Sequence, residues 1–210
     1  MMESIKWPCR QKVARYYWIM TWLHILFILV YGGTNWAGSQ RKSLYHFFFN
    51  WELNLPFVPW MIYIYFSIIL LFSLPLFAFN IEELKILALR MIYSLLIGGV
   101  IFLAFPGQLG FDRPQQVPGY NPIFQLLHLL DQPHNLLPSL HITFSALIIL
   151  ALVNVSPFWV QLIWYFWLAL ICISVVLVHQ HHIADVGGGL LLAWCLRMRS
   201  DSFKIYCPKK

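Results

Sequence analysis

Apolar residues along this chain gather into six runs: about Tyr16 to Gly33, Phe57 to Phe79, Ile86 to Phe105, Leu140 to Val153, Phe158 to Val178 and Ile183 to Leu196. Such runs read as helices whose solvent is lipid, because a spanning helix needs roughly 20 apolar residues. The second, third and fifth meet that length outright. The fourth and sixth are shorter, about 14 residues each, and both begin at polar stretches. Pro138-Ser139-Leu140-His141 opens the fourth, and His181-His182-Ile183-Ala184-Asp185 opens the sixth. Helices that start below the membrane surface leave a recess there. The expected fold is all-α, a polytopic membrane protein with six transmembrane helices in one domain over residues 1–210.

Composition agrees with lipid as the solvent. The chain is 60% hydrophobic and 10% charged, against roughly 25% charged in soluble domains. One soluble core of this size could not hide so much apolar surface. The formal net charge of +6 would suggest nucleic acid in a soluble chain, but the cations sit at the ends of apolar runs. No nucleic-acid partner follows from them. With six spans, one side carries Lys6, Arg10, Lys12, Arg15, Lys85, Arg90, Arg197, Arg199, Lys204, Lys209 and Lys210. The other carries Arg41, Lys42 and Arg113. Eleven against three places both termini in the cytoplasm by the positive-inside rule. Both polar stretches then fall on the same periplasmic or lumenal side.

The basic N-terminus could precede a signal peptide, but the first run is rich in Trp and Tyr and shows no small-x-small cleavage site before Trp36. It reads as an uncleaved span. Cys9, Cys172, Cys195 and Cys207 show no paired spacing and imply neither a disulfide framework nor a zinc ribbon. The loop from Pro106 to Leu137 is the longest connection, rich in Pro and Gly, with an apolar patch at Ile123 to Leu130 that reads as a short interfacial helix. Loops this long are more often functional than idle.

The two polar stretches suit phosphate chemistry. Pro138 fits the first turn of a helix, and Ser139 offers a hydroxyl and backbone N–H groups at a helix N-terminus, a natural anion site. His141 follows in the same turn, where an imidazole can protonate a departing alkoxide. His181 and Asp185 are four apart and share one face on a helix. A carboxylate there fixes the imidazole tautomer and frees the other nitrogen as a nucleophile. Alone, the pair could equally be a helix-stabilising contact. Gly187, Gly188 and Gly189 would let a neighbouring helix approach closely.

Together, Pro138-Ser139-Leu140-His141 and His181-x-x-x-Asp185 resemble the second and third motifs of the type 2 phosphatidic acid phosphatase superfamily, the lipid phosphate phosphatases. Arg113-Pro114 looks like the tail of the first motif. The resemblance implies that His181 attacks phosphorus to form a phosphohistidine, Asp185 orients His181, and His141 protonates the leaving group. Ser139 and Arg113 would hold phosphate oxygens, with no metal and no cofactor. Two basic residues of the family pattern are replaced, one by Pro106 and one by Val175. The remaining pattern is similar to the branch of inositol phosphorylceramide synthases and short bacterial relatives.

The expected activity is hydrolysis of a lipid phosphate monoester or pyrophosphate taken from the bilayer. The alternatives are a lipid phosphotransferase and a catalytically silent membrane scaffold. His179, His181 and His182 invite zinc, but His179 and His182 are expected to point away from His181, which leaves too few ligands. Asp112 and Asp131 read as solvated loop acids or helix caps, His134 as a loop histidine, and His24, His46 and His128 as packing or headgroup residues. Glu52 reads as interfacial. Trp36, Trp51, Trp60 and Trp164 read as aromatic belts, and the Asn154-Val155-Ser156 glycosylation pattern falls on the cytoplasmic side.

Overall fold

A computed structural model describes residues 8–197; Lys6, Arg199, Lys204, Lys209, Lys210 and Cys207 lie outside the described residues. Its main helices are α1 (Arg10–Ser39), α2 (Pro59–Ala78), α3 (Ile81–Ala104), α4 (Asn121–Leu130), α5 (Leu140–Asn154), α6 (Phe158–Leu177) and α7 (Ile183–Leu196). Helices α1, α2, α3 and α6 are long and apolar enough to cross a membrane. The protein is therefore an integral membrane protein. At 15 and 14 residues, α5 and α7 reach only about 21–23 Å, short of a hydrocarbon core of roughly 30 Å.

Helix ends follow local chemistry more than hydropathy. Asn80 and Glu83 cap each other's backbone N–H at the start of α3, at 3.0 and 2.8 Å, a reciprocal box that stabilises the first turn by about 1 kcal/mol. Helix α1 extends beyond its apolar run at both ends and holds a π-helical turn at Ile28–Gly32. Helix α2 is interrupted at Ser67 and at Pro75, which has no N–H to give. Ser67 answers the break by donating to Ile64 O at 2.6 Å and accepting from Trp167 Nε1 at 2.9 Å.

Helix α5 is the centre. Its residues are apolar all round and almost all buried, with α2, α3, α6 and α7 packed about it. The outer helices expose Tyr17, Trp22, Val100, Phe158 and Phe166, as lipid-facing surfaces should. Two of the three glycines of α7 set its approach to α5. A Cβ on Gly188 would lie 2.6 Å from Leu137 Cδ1, and one on Gly189 would lie 2.6 Å from Ser139 O. Thr143 Oγ1 completes the seam by bonding both Ser139 O and Gly189 O, at 2.9 and 3.2 Å.

The loops at the α5 N-terminus form a roof. Tyr45 N donates to Pro106 O and Gln108 N to Tyr45 O, each at 2.8 Å, and Gly107 N donates to His134 O at 2.9 Å. The first and third loops thus lie over the recess left by the short helices. The expected apolar patch at Ile123 to Leu130 is α4. Trp36, Trp51 and Trp60 are exposed, as a belt requires, whereas Trp164 donates its ring N–H to Ser156 Oγ at 2.9 Å.

Candidate active site

The two polar stretches meet at the roofed end of the bundle. Ser139 N donates to Asp185 O at 3.0 Å, so the start of α5 is bonded directly to α7. Ser139 is the N-cap of α5 and accepts from Ile142 N at 3.4 Å. Pro138 therefore stands before the cap and not in the first turn, because the Ser139 hydroxyl and extended backbone already begin the helix there. Ser139 is fully buried.

His181 and Asp185 also meet, by a different route from the one expected. Helix α7 begins at Ile183, after an extended His182, so His181 lies outside the helix. Asp185 turns back as a cap: its Oδ2 accepts from His182 N at 2.8 Å and lies 3.5 Å from His181 Nδ1. The carboxylate thereby sits behind the imidazole and leaves His181 Nε2 to the other side. Capping, not a shared helical face, brings the pair together.

His141 and His181 line one cavity of about 410 Å³. Its walls are mostly apolar. Leu23 and Phe27 come from α1, Ile69 and Phe72 from α2, Leu127 and Leu130 from α4, and Phe144 from α5. Its polar end gathers His141, His181, Tyr31, Tyr65 and Asp131. The Tyr65 ring stacks on His141 with centroids 4.1 Å apart. Leu23, Phe27 and Tyr31 are spaced four apart along α1, so the wall extends roughly 12 Å along the helix.

Buried side-chain polar atoms normally find partners. Among the described residues, those without one are Arg113 Nε, His134 Nδ1, Asn135 Oδ1, His141 Nε2, His181 Nδ1 and Asp185 Oδ1. Four belong to the motif residues, and two of these, His141 and His181, line the cavity. Leaving a buried polar atom unpaired costs about 1–3 kcal/mol; with His181 Nδ1 facing Asp185, His141 Nε2 is the atom that marks a place for a polar ligand.

Arg113 reaches the same end from the third loop. Its Nη1 donates to Asp131 O at 2.6 Å and its Nη2 to Gln180 Oε1 at 3.2 Å, one residue from His181. Burial pulls the guanidinium below its ordinary value, and Asp131 opposes that shift. The two positions where the family pattern is basic, Pro106 and Val175, are both buried. They pack the scaffold and leave Arg113 as the motif cation at the site.

Two expectations about neighbouring residues change. Glu52, read as interfacial, is wholly buried. Its Oε2 lies 3.2 Å from His182 Nδ1 and accepts from Ile183 N at 2.9 Å, while Oε1 accepts from Phe49 N at 3.0 Å. It caps α7 from the first loop. Asp131, read as solvated, accepts from Tyr31 Oη at 2.6 Å and faces the cavity. His134, read as a loop histidine, does lie in the third loop, where its backbone N–H donates to Asn35 Oδ1 of α1 at 3.2 Å.

The remaining histidines of the cluster go elsewhere. His182 accepts from Gly110 N through Nε2 at 3.0 Å, which leaves the proton on Nδ1 for Glu52. Its ring stacks between Phe48 and Phe111, at 4.5 and 4.3 Å, and burial lowers its pKa. His179 stacks on Phe111 at 4.1 Å and donates towards Leu55 O at 3.2 Å. The described residues hold no group of three or more side chains converging as metal ligands. Glu52 escaped the sequence reading because its partners are about 130 residues away. The available signal was a lone acid beside an aromatic stretch next to a span, where acids are costly.

No curated protein and no solved structure matches the chain significantly. A protein-family comparison does: the model of the PAP2 superfamily covers residues 87–199, from within α3 to two residues past the described chain. That region holds Arg113, Ser139, His141, His181 and Asp185, and it spans more than half of the sequence, so the chain belongs to the PAP2 superfamily of membrane phosphatases and related phosphoryl-transfer enzymes.

Proposed function

We propose that this protein is a six-span, single-domain phosphatase that hydrolyses a lipid phosphate monoester or pyrophosphate on the non-cytoplasmic face. The observation that carries the reading is that His141 and His181 share one cavity, with the buried His141 Nε2 unpartnered. In the first step His181 Nε2 attacks phosphorus and the bond from phosphorus to the lipid oxygen breaks. His141 gives its proton to that oxygen, which leaves as an alcohol or a lipid monophosphate. Asp185 holds the imidazole and stabilises its positive charge. In the second step water attacks the phosphohistidine, His141 takes a proton from it, and the P–N bond breaks to release inorganic phosphate. Arg113, the Ser139 hydroxyl and the N-terminus of α5 would hold the phosphate oxygens.

The apolar walls give a lipid chain a place beside the bilayer while the phosphate reaches the polar end. Lys12, Lys85, Arg90 and Arg197 sit near the far ends of α1, α3 and α7, and Arg90 Nη1 bonds Leu196 O at 3.0 Å. That distribution supports a cytoplasmic far end and a periplasmic or lumenal site.

The test is inorganic phosphate release by the purified protein in detergent over a panel of lipid phosphates, with samples quenched in alkaline detergent and assayed for phosphohistidine as label that survives base and is lost in acid. Release and label that both vanish in His181→Ala support the reading. Release that survives His181→Ala overturns it. The replacement of two basic family positions by Pro106 and Val175 favours one second reading, a phosphotransferase passing a phospho-headgroup to a lipid alcohol. It would form the intermediate but turn over only when that alcohol is added.

A further inference from the structure

The polar end of the cavity contains a group that a phosphate-binding site alone does not need. Asp131 contributes a carboxylate to the same wall as His141 and His181. Its Oδ1 is fixed by Tyr31 Oη at 2.6 Å. Arg113 bonds the main-chain oxygen of Asp131 at 2.6 Å, and no hydrogen bond of the described residues joins the guanidinium to the Asp131 side chain. Tyr31 is held in turn, its carbonyl accepting from Asn135 Nδ2 at 2.7 Å within the π-helical turn of α1. The carboxylate is thus aimed by a tyrosine from α1 and anchored by an arginine from the third loop.

Arg113 offsets part of the Asp131 charge, but with the same guanidinium committed to phosphate a carboxylate beside it is repulsive in low dielectric. The arrangement becomes favourable when the ligand itself carries a hydrogen-bond donor to Asp131, close to the phosphoester. The location fixes what else the ligand must be. Leu127 and Leu130 of α4 stand just before Asp131 in the chain, and they and Phe144 continue the wall as apolar surface. A ligand that fills this space is a long chain, then a donor group, then phosphate.

We infer that Asp131, oriented by Tyr31, is a specificity-determining residue selecting long-chain phosphoesters with an ammonium or hydroxyl group on the carbon next to the ester carbon. The inference rests on the phosphatase reading for its phosphate subsite. It adds a second subsite, for a donor, within the same cavity.

Three matched probes test it: a long-chain 2-aminoalkyl phosphate, the 2-hydroxyalkyl phosphate and the plain alkyl phosphate. For the wild-type protein, kcat/KM for the donor-bearing probes should exceed that of the plain probe roughly 10-fold or more, the worth of a charge-assisted hydrogen bond. Asp131→Asn should lower kcat/KM for the amino probe roughly 10-fold more than for the plain probe, collapsing the preference. Tyr31→Phe should reduce the preference without abolishing turnover. Equal kcat/KM for all three probes, or an equal loss on all three in Asp131→Asn, overturns the inference.

Equilibrium binding of the same radiolabelled probes to His181→Ala protein reads the preference without turnover. If no probe is hydrolysed by the wild type yet the binding ranking holds and depends on Asp131, the phosphatase reading falls and the donor subsite stands. If all three are hydrolysed but bind alike, the donor subsite falls and the phosphatase reading stands.

Discussion

Glu52 and His182, 130 residues apart, are joined by a buried contact of 3.2 Å between Oε2 and Nδ1. The same carboxylate receives Ile183 N and Phe49 N. One acid from the first loop therefore fixes the turn that carries His181. Its neighbour His182 is bonded on the other side by Gly110 N, so first loop, third loop and α7 are locked around one imidazole.

Replacing Glu52 exposes what this costs. Glu52→Ala leaves the buried His182 Nδ1–H and two half-buried backbone N–H groups without their acceptor, a loss of about 3–5 kcal/mol. Glu52→Gln keeps the shape but must turn an NH₂ group towards one of those donors, and should lose less. Thermal unfolding in detergent should rank wild type above Glu52→Gln and Glu52→Ala last. Equal melting of all three would mean the contact does not hold the roof.

How much of this was legible in the sequence depends on whether the signal was local. Ser139, His141, His181 and Asp185 stood out because polarity in an apolar chain is costly and their spacings are short. Both stretches do meet. The six apolar runs correspond to helices, but the ends of α1 were missed, since hydropathy reports lipid contact while the helix runs on through Arg10 and Ser39. The His181–Asp185 contact was foreseen for the wrong reason, because no sequence period reveals that His182 is an extended N-cap. Glu52 and Asp131 were misjudged because their partners, His182 and Tyr31, are distant in the chain.

His141 can be separated from His181 by the leaving group. If His141 supplies a proton to the departing oxygen, His141→Ala should slow lipid phosphate hydrolysis roughly 10²–10⁴-fold. The deficit should shrink for nitrophenyl phosphate, whose leaving group departs without a proton. His181→Ala should be inactive on both. A His141→Ala deficit of equal size on both substrates would remove the proton-donor role.

The glycines of α7 predict opposite outcomes at neighbouring positions. A Cβ on Gly189 would sit 2.6 Å from the Ser139 carbonyl oxygen, and backbone cannot move aside cheaply. Gly189→Ala should push α7 from α5, lowering both melting temperature and turnover. Gly187 has nothing within 4 Å, so Gly187→Ala should be neutral or stabilising by up to about 1 kcal/mol through helix propensity. Similar effects of the two changes would contradict the packing of this seam.

Acid should loosen the roof. Burial holds His134, His179 and His182 below their ordinary value of 6.5. The fold favours their neutral forms, so the unfolded chain binds more protons once pH falls below about 6.5. Their contribution is present above that pH and is lost as pH drops towards the lowered values. Melting temperature should fall from pH 7.5 to 5.5, and fall less in a His134→Gln, His179→Asn double variant. Asn suits position 179 because that backbone has φ of 56°, a left-handed conformation Asn tolerates. An equal fall in the double variant would assign the acid sensitivity elsewhere.

The orientation of the site has its own test, independent of chemistry. Gln115 is exposed in the third loop at the roofed end, and Glu82 is exposed at the start of α3 at the opposite end. In a background lacking Cys9, Cys172, Cys195 and Cys207, Gln115→Cys should react with an impermeant maleimide on intact cells or sealed right-side-out vesicles. Glu82→Cys should react only after permeabilisation. The reverse pattern would put the cavity on the cytoplasmic side and send its substrates and released phosphate there. Labelling of both from one side would mean that α3 does not cross the bilayer, and the six-span arrangement would fail with it.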